Sequence, residues 1–127
     1  MIVKHLEDVI GTKDDVSAAT WISRRLILKK DGVGFSLNDT IIKPGTETLI
    51  WYKHHIEAVY CIEGEGEIHP EGHRAYPIRP GTLYVLDGHE KHYLRAKSQL
   101  RMVCVFTPPL TGAEVHDEEG AYPLVEA

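Results

Sequence analysis

The fold is decided by residues 57–92, EAVYCIEGEGEIHPEGHRAYPIRPGTLYVLDGHEKH. Each half of this stretch has the pattern strand, turn, strand, and residues that can bind a metal lie near the strand ends. Antiparallel units of this kind close around a small cavity, and a few inward polar groups there provide a site for a ligand. The stretch therefore predicts a small β-barrel that holds a metal and a small molecule.

The rest of the chain extends this pattern. TWISRRLILKK (residues 20–30) is typical of a strand and stops at Asp31-Gly32, and VGFSLNDTIIKPG (33–45) ends at Pro44-Gly45. Turn signals recur about every ten residues, which favours an all-β fold, here a single small barrel of the jelly-roll type spanning residues 1–127. Residues 6–10, LEDVI, fit a short helix or a strand, and we expect residues 111–127 to form a mobile tail or lid.

Composition excludes several classes of function. The 127 residues carry a formal net charge of −5 and no basic stripe, so nucleic acid is not an expected partner. No apolar run approaches the roughly 20 residues that span a membrane. The charged N-terminus lacks the apolar core of a signal peptide, so we expect a cytoplasmic protein. Cys61 and Cys104 are expected to be reduced core thiols.

Two spacings in residues 57–92 resemble the two sequence motifs of the cupin family. Glu57 is followed by six residues and then Gly64, which matches the glutamate and closing glycine of the first motif. Gly81 is followed by five residues, then residues 87–89, two more residues and His92. His92 therefore falls on the histidine of the second motif, and the resemblance implies a cupin barrel.

The departures from that pattern are informative. The paired histidines of the first motif would lie near Trp51 and Lys53, and Ala96 replaces the final asparagine of the second. A site of three histidines and one glutamate is therefore not available. The altered pattern resembles the ectoine synthase family over nearly the whole chain, in segments that follow the family order: MIVKHLEDVIGT, TWISRRLILKKDGVGFSLNDTII, LIWYKHHIEAVYCIEGEGEI, GTLYVLDGHEKHYLRA and VFTPPLTGAEVHDEEGAYP.

This resemblance implies a cytoplasmic, iron-dependent cupin enzyme that acts as a homodimer. Its expected reaction closes the ring of N-γ-acetyl-L-2,4-diaminobutyrate, with loss of water, to make the osmoprotectant ectoine. An edge strand such as the first one could pair with a second copy across a two-fold axis, but no residue in the sequence proves it.

The resemblance also implies a metal site with one Fe(II) per chain, held by Glu57, Tyr84 and His92. Carboxylate, phenolate and imidazole groups suit iron. From the residues alone, Tyr84 would be a buried structural tyrosine with its hydroxyl hydrogen-bonded. The neighbouring histidines His54 and His55 are expected to flank the pocket or face solvent.

Acid–base work in the expected reaction is assigned to Tyr52 and Glu114, with His92 as a ligand that also contacts substrate. The sequence does not say which group is the acid and which the base. His116 is expected to close over the bound substrate.

Substrate contacts are expected from residues that share strand faces. Asn38 and Thr40 lie two apart, as do Cys104 and Phe106, so each pair faces one way. Trp21 offers a wall, and Arg24 offers a cation for the substrate carboxylate. In a regular strand Trp21 and Arg24 lie on opposite faces, so a bulge or twist would be needed for both to line one pocket.

Two other functions remain open from the sequence. An iron-dependent dioxygenase on the same barrel is one, since a fold does not fix its function, although the missing paired histidines count against it. A non-catalytic module that binds a small solute is the other. The chain carries no attached DNA-binding segment, which weakens a regulatory role.

Overall fold

The computed structural model describes residues 1–113, and nearly all of its regular structure is β-strand. In chain order the elements are α1 (Leu6–Val9), β1 (Asp15–Ser17), β2 (Trp21–Ile27), a 3-10 turn (Lys29–Asp31), β3 (Ser36–Ile42), β4 (Glu47–Ile50), β5 (Ile56–Glu63), β6 (Gly66–Pro70), β7 (Tyr76–Ile78), β8 (Leu83–Leu86), β9 (His92–Ala96) and β10 (Leu100–Thr107). Segment 6–10 is thus helical at its start. Within these residues no helix is long and apolar enough to cross a membrane.

The strands form two antiparallel sheets. The six-stranded sheet has the order β1-β2-β3-β10-β5-β8, and the four-stranded sheet has the order β4-β9-β6-β7. The prediction of an all-β jelly-roll-type fold is confirmed. The ladders described do not join one sheet to the other, so the molecule is a sandwich of two sheets rather than a closed barrel.

Strand β10 organises the larger sheet. It pairs with β3 from Leu100 opposite Ile42 to Phe106 opposite Ser36, and on its other side it pairs with β5. Because side chains alternate along a strand, one face of β10 is buried at every second position, from Leu100 to Phe106. Apolar residues of the smaller sheet cover this face: Ile50, Ile68, Ile78 and Leu94.

The closing glycine of the first cupin-like motif has a backbone reason. Gly64 has a φ of +90°, which side-chain-bearing residues rarely adopt. A Cβ at this position would also lie 2.0 Å from the carbonyl oxygen of Gln99. The turn that ends β5 therefore requires glycine.

A buried ion cluster ties three strands together on the outer face of the larger sheet. Asp39 of β3 accepts hydrogen bonds from the guanidinium groups of Arg24 on β2 and Arg101 on β10, the latter at 2.7 Å. Arg24 is 8% exposed and Asp39 is 6% exposed, so this contact is largely shielded from water. Burial raises the pKa of the Asp39 carboxyl, but the hydrogen bonds from Arg101 and Arg24 outweigh it and the pKa is lowered overall.

The segment that follows β10 is held by hydrogen bonds although it has no regular structure. The carbonyl of Pro108 accepts from His55 Nδ1 at 2.8 Å, and the Leu110 amide donates to Ser36 Oγ at 2.9 Å. The carbonyl of Leu110 accepts from the Lys29 amide, and Arg25 Nη1 donates to the carbonyl of Gly112, both at 2.8 Å. Residues 108–112 are thereby fixed against the turn after β2 and the ends of β2 and β3.

We predict that Asp39→Asn lowers the free energy of unfolding by about 3 kcal/mol, because it leaves a buried arginine without its carboxylate. A depressed native-state pKa contributes stability above the unfolded-state pKa, near 4, and that contribution is lost as pH falls through the native value. The gap between wild type and variant should therefore be constant near neutral pH and shrink below about pH 4. Urea unfolding followed by circular dichroism measures both.

The exposed Glu71→Gln is the matched control and should change stability by no more than about 0.5 kcal/mol. A loss as small as this in Asp39→Asn would mean that the cluster does not hold the three strands.

Candidate active site

A narrow cavity lies between the inner faces of the two sheets. Most of its wall is apolar, and a few polar groups interrupt it, which is the usual make-up of a small-molecule site. Its lining consists of Trp21, Ser23, Asn38, Thr40, Ile42, Ile50, Tyr52, Glu57, Val59, Tyr84, Leu94, Met102, Cys104 and Phe106. The larger sheet provides most of this wall, and it provides nearly all of the polar side chains.

The polar groups form a row across that sheet. Five strands that are adjacent in the sheet each contribute at least one polar side chain: β2, β3, β10, β5 and β8. The strand register sets their order: Ser23 lies opposite Thr40, and Asn38 lies opposite Cys104. On the next strand, β5, Glu57 lies opposite Phe106 of β10. The positions of these polar residues therefore follow from the pairing of the strands.

Glu57 is the carboxyl group of the cavity wall. It is 4% exposed, and no lysine or arginine lines the cavity in the part of the chain that the structure describes. Burial raises the pKa of its carboxyl to about 8, and a hydrogen bond with the Cys104 thiol offsets part of that rise. Cys104 is in turn hydrogen-bonded to Thr40. Without a cation, the low dielectric therefore favours the protonated acid.

The other two predicted metal ligands lie on different sheets. Tyr84 lines the cavity from β8, next to Val59 on β5, and burial raises the pKa of its hydroxyl well above the usual value, with Glu57 adding to the rise. His92 is on β9 and is 1% exposed, and its side chain is not one of those that line the cavity. Burial lowers the pKa of His92, so its ring is neutral.

The donor set fits a divalent metal. His92 Nδ1 lies 2.9 Å from the carbonyl oxygen of Glu90, so it carries the proton and leaves the Nε2 lone pair available, the arrangement usual for a metal-bound histidine. Carboxylate, phenolate and imidazole are suitable ligands for iron, and a cation would offset the cost of a buried carboxylate. Among residues 1–113 no three His, Cys, Asp or Glu side chains group as a metal site, so Tyr84 would have to supply the third ligand.

Tyr52 lies between the cavity and His92. It is 5% exposed and packs edge-on against Phe106, with ring centroids 5.1 Å apart, and against His92 at 6.3 Å. Two hydrogen bonds of 3.0 Å hold its segment: His89 Nδ1 donates to the Tyr52 carbonyl, and Trp51 Nε1 donates to the His89 carbonyl. The predicted acid–base residue is thus fixed inside the molecule.

The structure does not bring Arg24 to the cavity. The register of β2 with β3 is unbroken from Trp21 to Arg25, so the bulge that would have turned Arg24 inward is absent. Trp21 lines the cavity, whereas the Arg24 guanidinium is already bound to Asp39 on the outer face. The guanidinium on the inner face belongs to Arg25, which is 1% exposed and donates to the Gly112 carbonyl.

The other predicted cavity residues are brought together. Asn38, Thr40, Cys104 and Phe106 all line the cavity, as the alternation along β3 and β10 predicts. Ser23 also lines the cavity and was not predicted, although counting in twos from Trp21 along β2 reaches it.

The two neighbouring histidines lie in different surroundings. His54 is exposed, which is one of the two positions expected for it. His55 is buried, and its ring packs edge-on against Phe106 with ring centroids 5.9 Å apart. Glu114 and His116 lie outside the described residues, as does most of the predicted lid, and their roles stay predictions.

Comparison with known proteins places the chain in a family. The family model described as ectoine synthase matches residues 1–126. The L-ectoine synthase of Virgibacillus pantothenticus is 64% identical over 126 residues, covering 98% of each protein. A crystal structure of ectoine synthase from P. lautus is 74% identical and superposes with a TM-score of 0.91, covering 100% of this chain and 92% of that one.

A more distant match concerns the fold alone. A Cupin_2 domain of an XRE-family transcriptional regulator from Enterobacter cloacae is 20% identical with a TM-score of 0.61, covering 71% of this chain and 98% of that one. The two-sheet sandwich is therefore a cupin fold. The match to the family model over residues 1–126 and the high identity to known ectoine synthases show that the chain belongs to the ectoine synthase family.

Proposed function

We propose that this chain makes ectoine from N-γ-acetyl-L-2,4-diaminobutyrate. The observation that carries the proposal is the match to the ectoine synthase family over residues 1–126. In this reaction the α-amine nitrogen attacks the carbonyl carbon of the acetamide group within the same molecule. The carbon–oxygen bond then breaks and the oxygen leaves as water, so the enzyme is a hydro-lyase that forms a cyclic amidine.

The cavity suits a condensation that releases water. Trp21, Phe106 and Met102 are buried and give it apolar walls, which exclude the bulk water that would favour the reverse hydrolysis. A narrow cavity also holds the flexible substrate in a curled pose. Well-oriented intramolecular reactions gain up to about 7–11 kcal/mol from such positioning. Asn38 and Thr40 provide hydrogen bonds that orient the substrate from one wall.

Proton transfer is assigned to Tyr52. The amine must be neutral when it attacks, and the departing hydroxyl must take up a proton. Tyr52 lines the cavity and is held by packing against Phe106 and His92. Its phenol hydroxyl both donates and accepts hydrogen bonds, so it can pass a proton between the substrate and a neighbouring group.

The proposed cofactor is one Fe(II) per chain, held by Glu57, Tyr84 and His92. The support is the donor set itself, together with a buried carboxylate that has no cation among the described lining residues. When bound, the metal supplies a Lewis acid that polarises the acetamide carbonyl. The residues of the chain position that carbonyl and keep water away from it.

The proposed assembly is a homodimer. Strand β8 ends the six-stranded order in the described chain, and an edge strand offers unpaired backbone groups to a second copy. Its outer face is apolar: Leu83 is 63% exposed and Val85 is 45% exposed, and Tyr60 of β5 lies opposite Leu83.

Because the two cysteines are buried free thiols, we also place the enzyme in the reducing cytoplasm, where it would serve osmoprotection.

We predict that the chain forms ectoine from N-γ-acetyl-L-2,4-diaminobutyrate when Fe(II) is supplied anaerobically, and forms little in the presence of a chelator. Chromatography of the product measures both. Ectoine appearing equally in both samples would contradict the metal role. No ectoine in either sample would contradict the proposed function, and oxygen uptake with thiol or catechol substrates would then favour a dioxygenase.

A matched pair of variants separates metal binding from proton transfer. Glu57→Ala should lose most bound iron and most turnover together, because it removes a ligand. Tyr52→Phe should keep its iron and lose about 10²–10⁴-fold in kcat, the usual contribution of a general acid or base. Iron content by mass spectrometry and ectoine formation by chromatography measure the two effects.

Two outcomes would contradict these assignments. Full iron content with full turnover in Glu57→Ala would remove Glu57 from the ligand set. Loss of iron in Tyr52→Phe would move Tyr52 into the metal site.

Leu83→Lys should convert the dimer to a monomer, because it places a charge in the centre of the apolar edge. Analytical ultracentrifugation measures the mass. The control is Val33→Lys, which changes another exposed apolar residue away from β8 and should leave the dimer intact. A wild-type monomer, or a dimer that Leu83→Lys leaves unchanged, would contradict the proposed interface.

A further inference from the structure

His89 has a backbone conformation that suits glycine better than a residue with a side chain. Its φ is +55°, and among residues 1–113 it is the one residue other than glycine with a positive φ. In this left-handed region the Cβ comes too close to the following carbonyl oxygen, which is unfavourable for most residues. His89 is also exposed, so core packing does not require an imidazole at this position. The histidine therefore needs another physical reason.

That reason lies in the contacts between its turn, residues 87–91, and the segment that follows β4. His89 Nδ1 donates to the carbonyl oxygen of Tyr52 at 3.0 Å, and Trp51 Nε1 donates to the carbonyl oxygen of His89, also at 3.0 Å. The ammonium group of Lys91 lies 5.1 Å from the centre of the Trp51 ring, which is within the range of a cation–π contact. Residues 87–91 thus hold Trp51 and Tyr52 through both side chains and backbone.

These contacts lie where the strand pairing of β4 has ended. The ladder between β4 and β9 extends to Ile50 opposite His92, so Tyr52 is two residues beyond the last paired position. The Tyr52 side chain is buried and lines the cavity. Because the hydroxyl is the atom of this side chain farthest from the backbone, a small rotation of the Tyr52 peptide moves the hydroxyl most. A hydrogen bond to the Tyr52 carbonyl therefore controls where the hydroxyl lies in the cavity.

The same turn orients His92 by a separate hydrogen bond. His92 Nδ1 donates to the carbonyl oxygen of Glu90 at 2.9 Å, and Glu90 is the residue after His89. The ring of His89 therefore holds Tyr52, whereas the backbone of Glu90 holds His92. A change in the His89 side chain removes the first contact and leaves the second in place.

We propose that His89 is a positioning residue for Tyr52, and that its ring hydrogen bond fixes the phenol hydroxyl where protons pass to and from the substrate. This rests on the proposed function, in which Tyr52 transfers those protons. His89 is not one of the described residues that line the cavity, so it acts through Tyr52 rather than on the substrate. A displacement of about 1 Å at a reacting group lowers the rate by about a hundredfold, so a contact of this kind affects turnover more than stability.

Two variants of nearly the same shape separate the hydrogen bond from the backbone conformation. Asparagine and aspartate both tolerate a positive φ. The amide nitrogen of His89→Asn can take the place of Nδ1 and donate, so its kcat should stay within about threefold of the wild-type value. The carboxylate of His89→Asp only accepts hydrogen bonds, so its kcat should fall by about 10–100-fold while KM changes little. Ectoine formation followed by chromatography, with Fe(II) supplied, measures both.

His89→Gly removes the ring and the backbone strain together. Its melting temperature should stay within about 3 °C of wild type, because the relief of strain offsets the lost hydrogen bond, while kcat falls as in His89→Asp. Its iron content by mass spectrometry should be unchanged, because the carbonyl of Glu90 still holds His92. The control is His73→Gly, which removes an exposed histidine between β6 and β7 and should leave kcat unchanged.

A double variant tests whether His89 acts through Tyr52. Tyr52→Phe already lacks the hydroxyl, so adding His89→Gly to it should lower kcat no further. A purely structural role of His89 would instead lower kcat by the same factor with Tyr52 and with phenylalanine at that position.

The outcomes separate this proposal from the proposed function. With an active wild type, unchanged kcat in His89→Asp or an equal loss in His89→Asn and His89→Asp would overturn the positioning role. Loss of iron in His89→Gly, or a further loss of kcat in the double variant, would also overturn it. Each of these results leaves the proposed function intact. A wild type that forms no ectoine would overturn the proposed function and this inference with it.

Discussion

The alternation of side chains along β10 is the constraint on which the rest of the molecule depends. Its ladders with β3 and β5 fix which residues face inward on three strands at once. A shift of β10 by one residue would turn Cys104 and Phe106 outward and bring Arg101 into the core. The outer cluster of Asp39 with Arg24 and Arg101 opposes that shift, because it pairs only in the observed register. Packing inside and ion pairing outside therefore select the same register.

Within this frame the cavity combines an apolar wall with polar groups that the fold itself does not need. Glu57 is buried without a cation among the described residues, and Ser23 and Asn38 hold oxygens without partners. Burying such groups costs stability unless a partner satisfies them, so they mark the wall to which a ligand would bind. Structural polar residues behave differently, because Ser36 and His55 are tied to the segment after β10.

Particular residues show how far the sequence could predict the structure. The spacings around Glu57, Gly64 and His92 identified the cupin pattern, since turn glycines and strand alternation are local properties. The position of Arg24 could not be predicted from its charge. Arginine suits both a substrate carboxylate and a structural aspartate, and only the long-range pairing with Asp39 decides between them. Strand alternation from Trp21 places Ser23 on the inner face, but a serine at an inward position does not by itself indicate a binding role, so Ser23 was not predicted.

The segment from residue 108 to residue 112 looks like an ordinary connection, yet it is anchored at intervals of two residues. Pro108, Leu110 and Gly112 each offer a carbonyl to a different part of the fold, and Leu110 also offers its amide. Loops usually tolerate insertions and deletions because their backbone groups face water. Here one added or deleted residue would displace every later anchor at once. This stretch therefore has a fixed length, and changes of length during evolution or engineering belong elsewhere, for example at the exposed Glu71-Gly72 turn between β6 and β7.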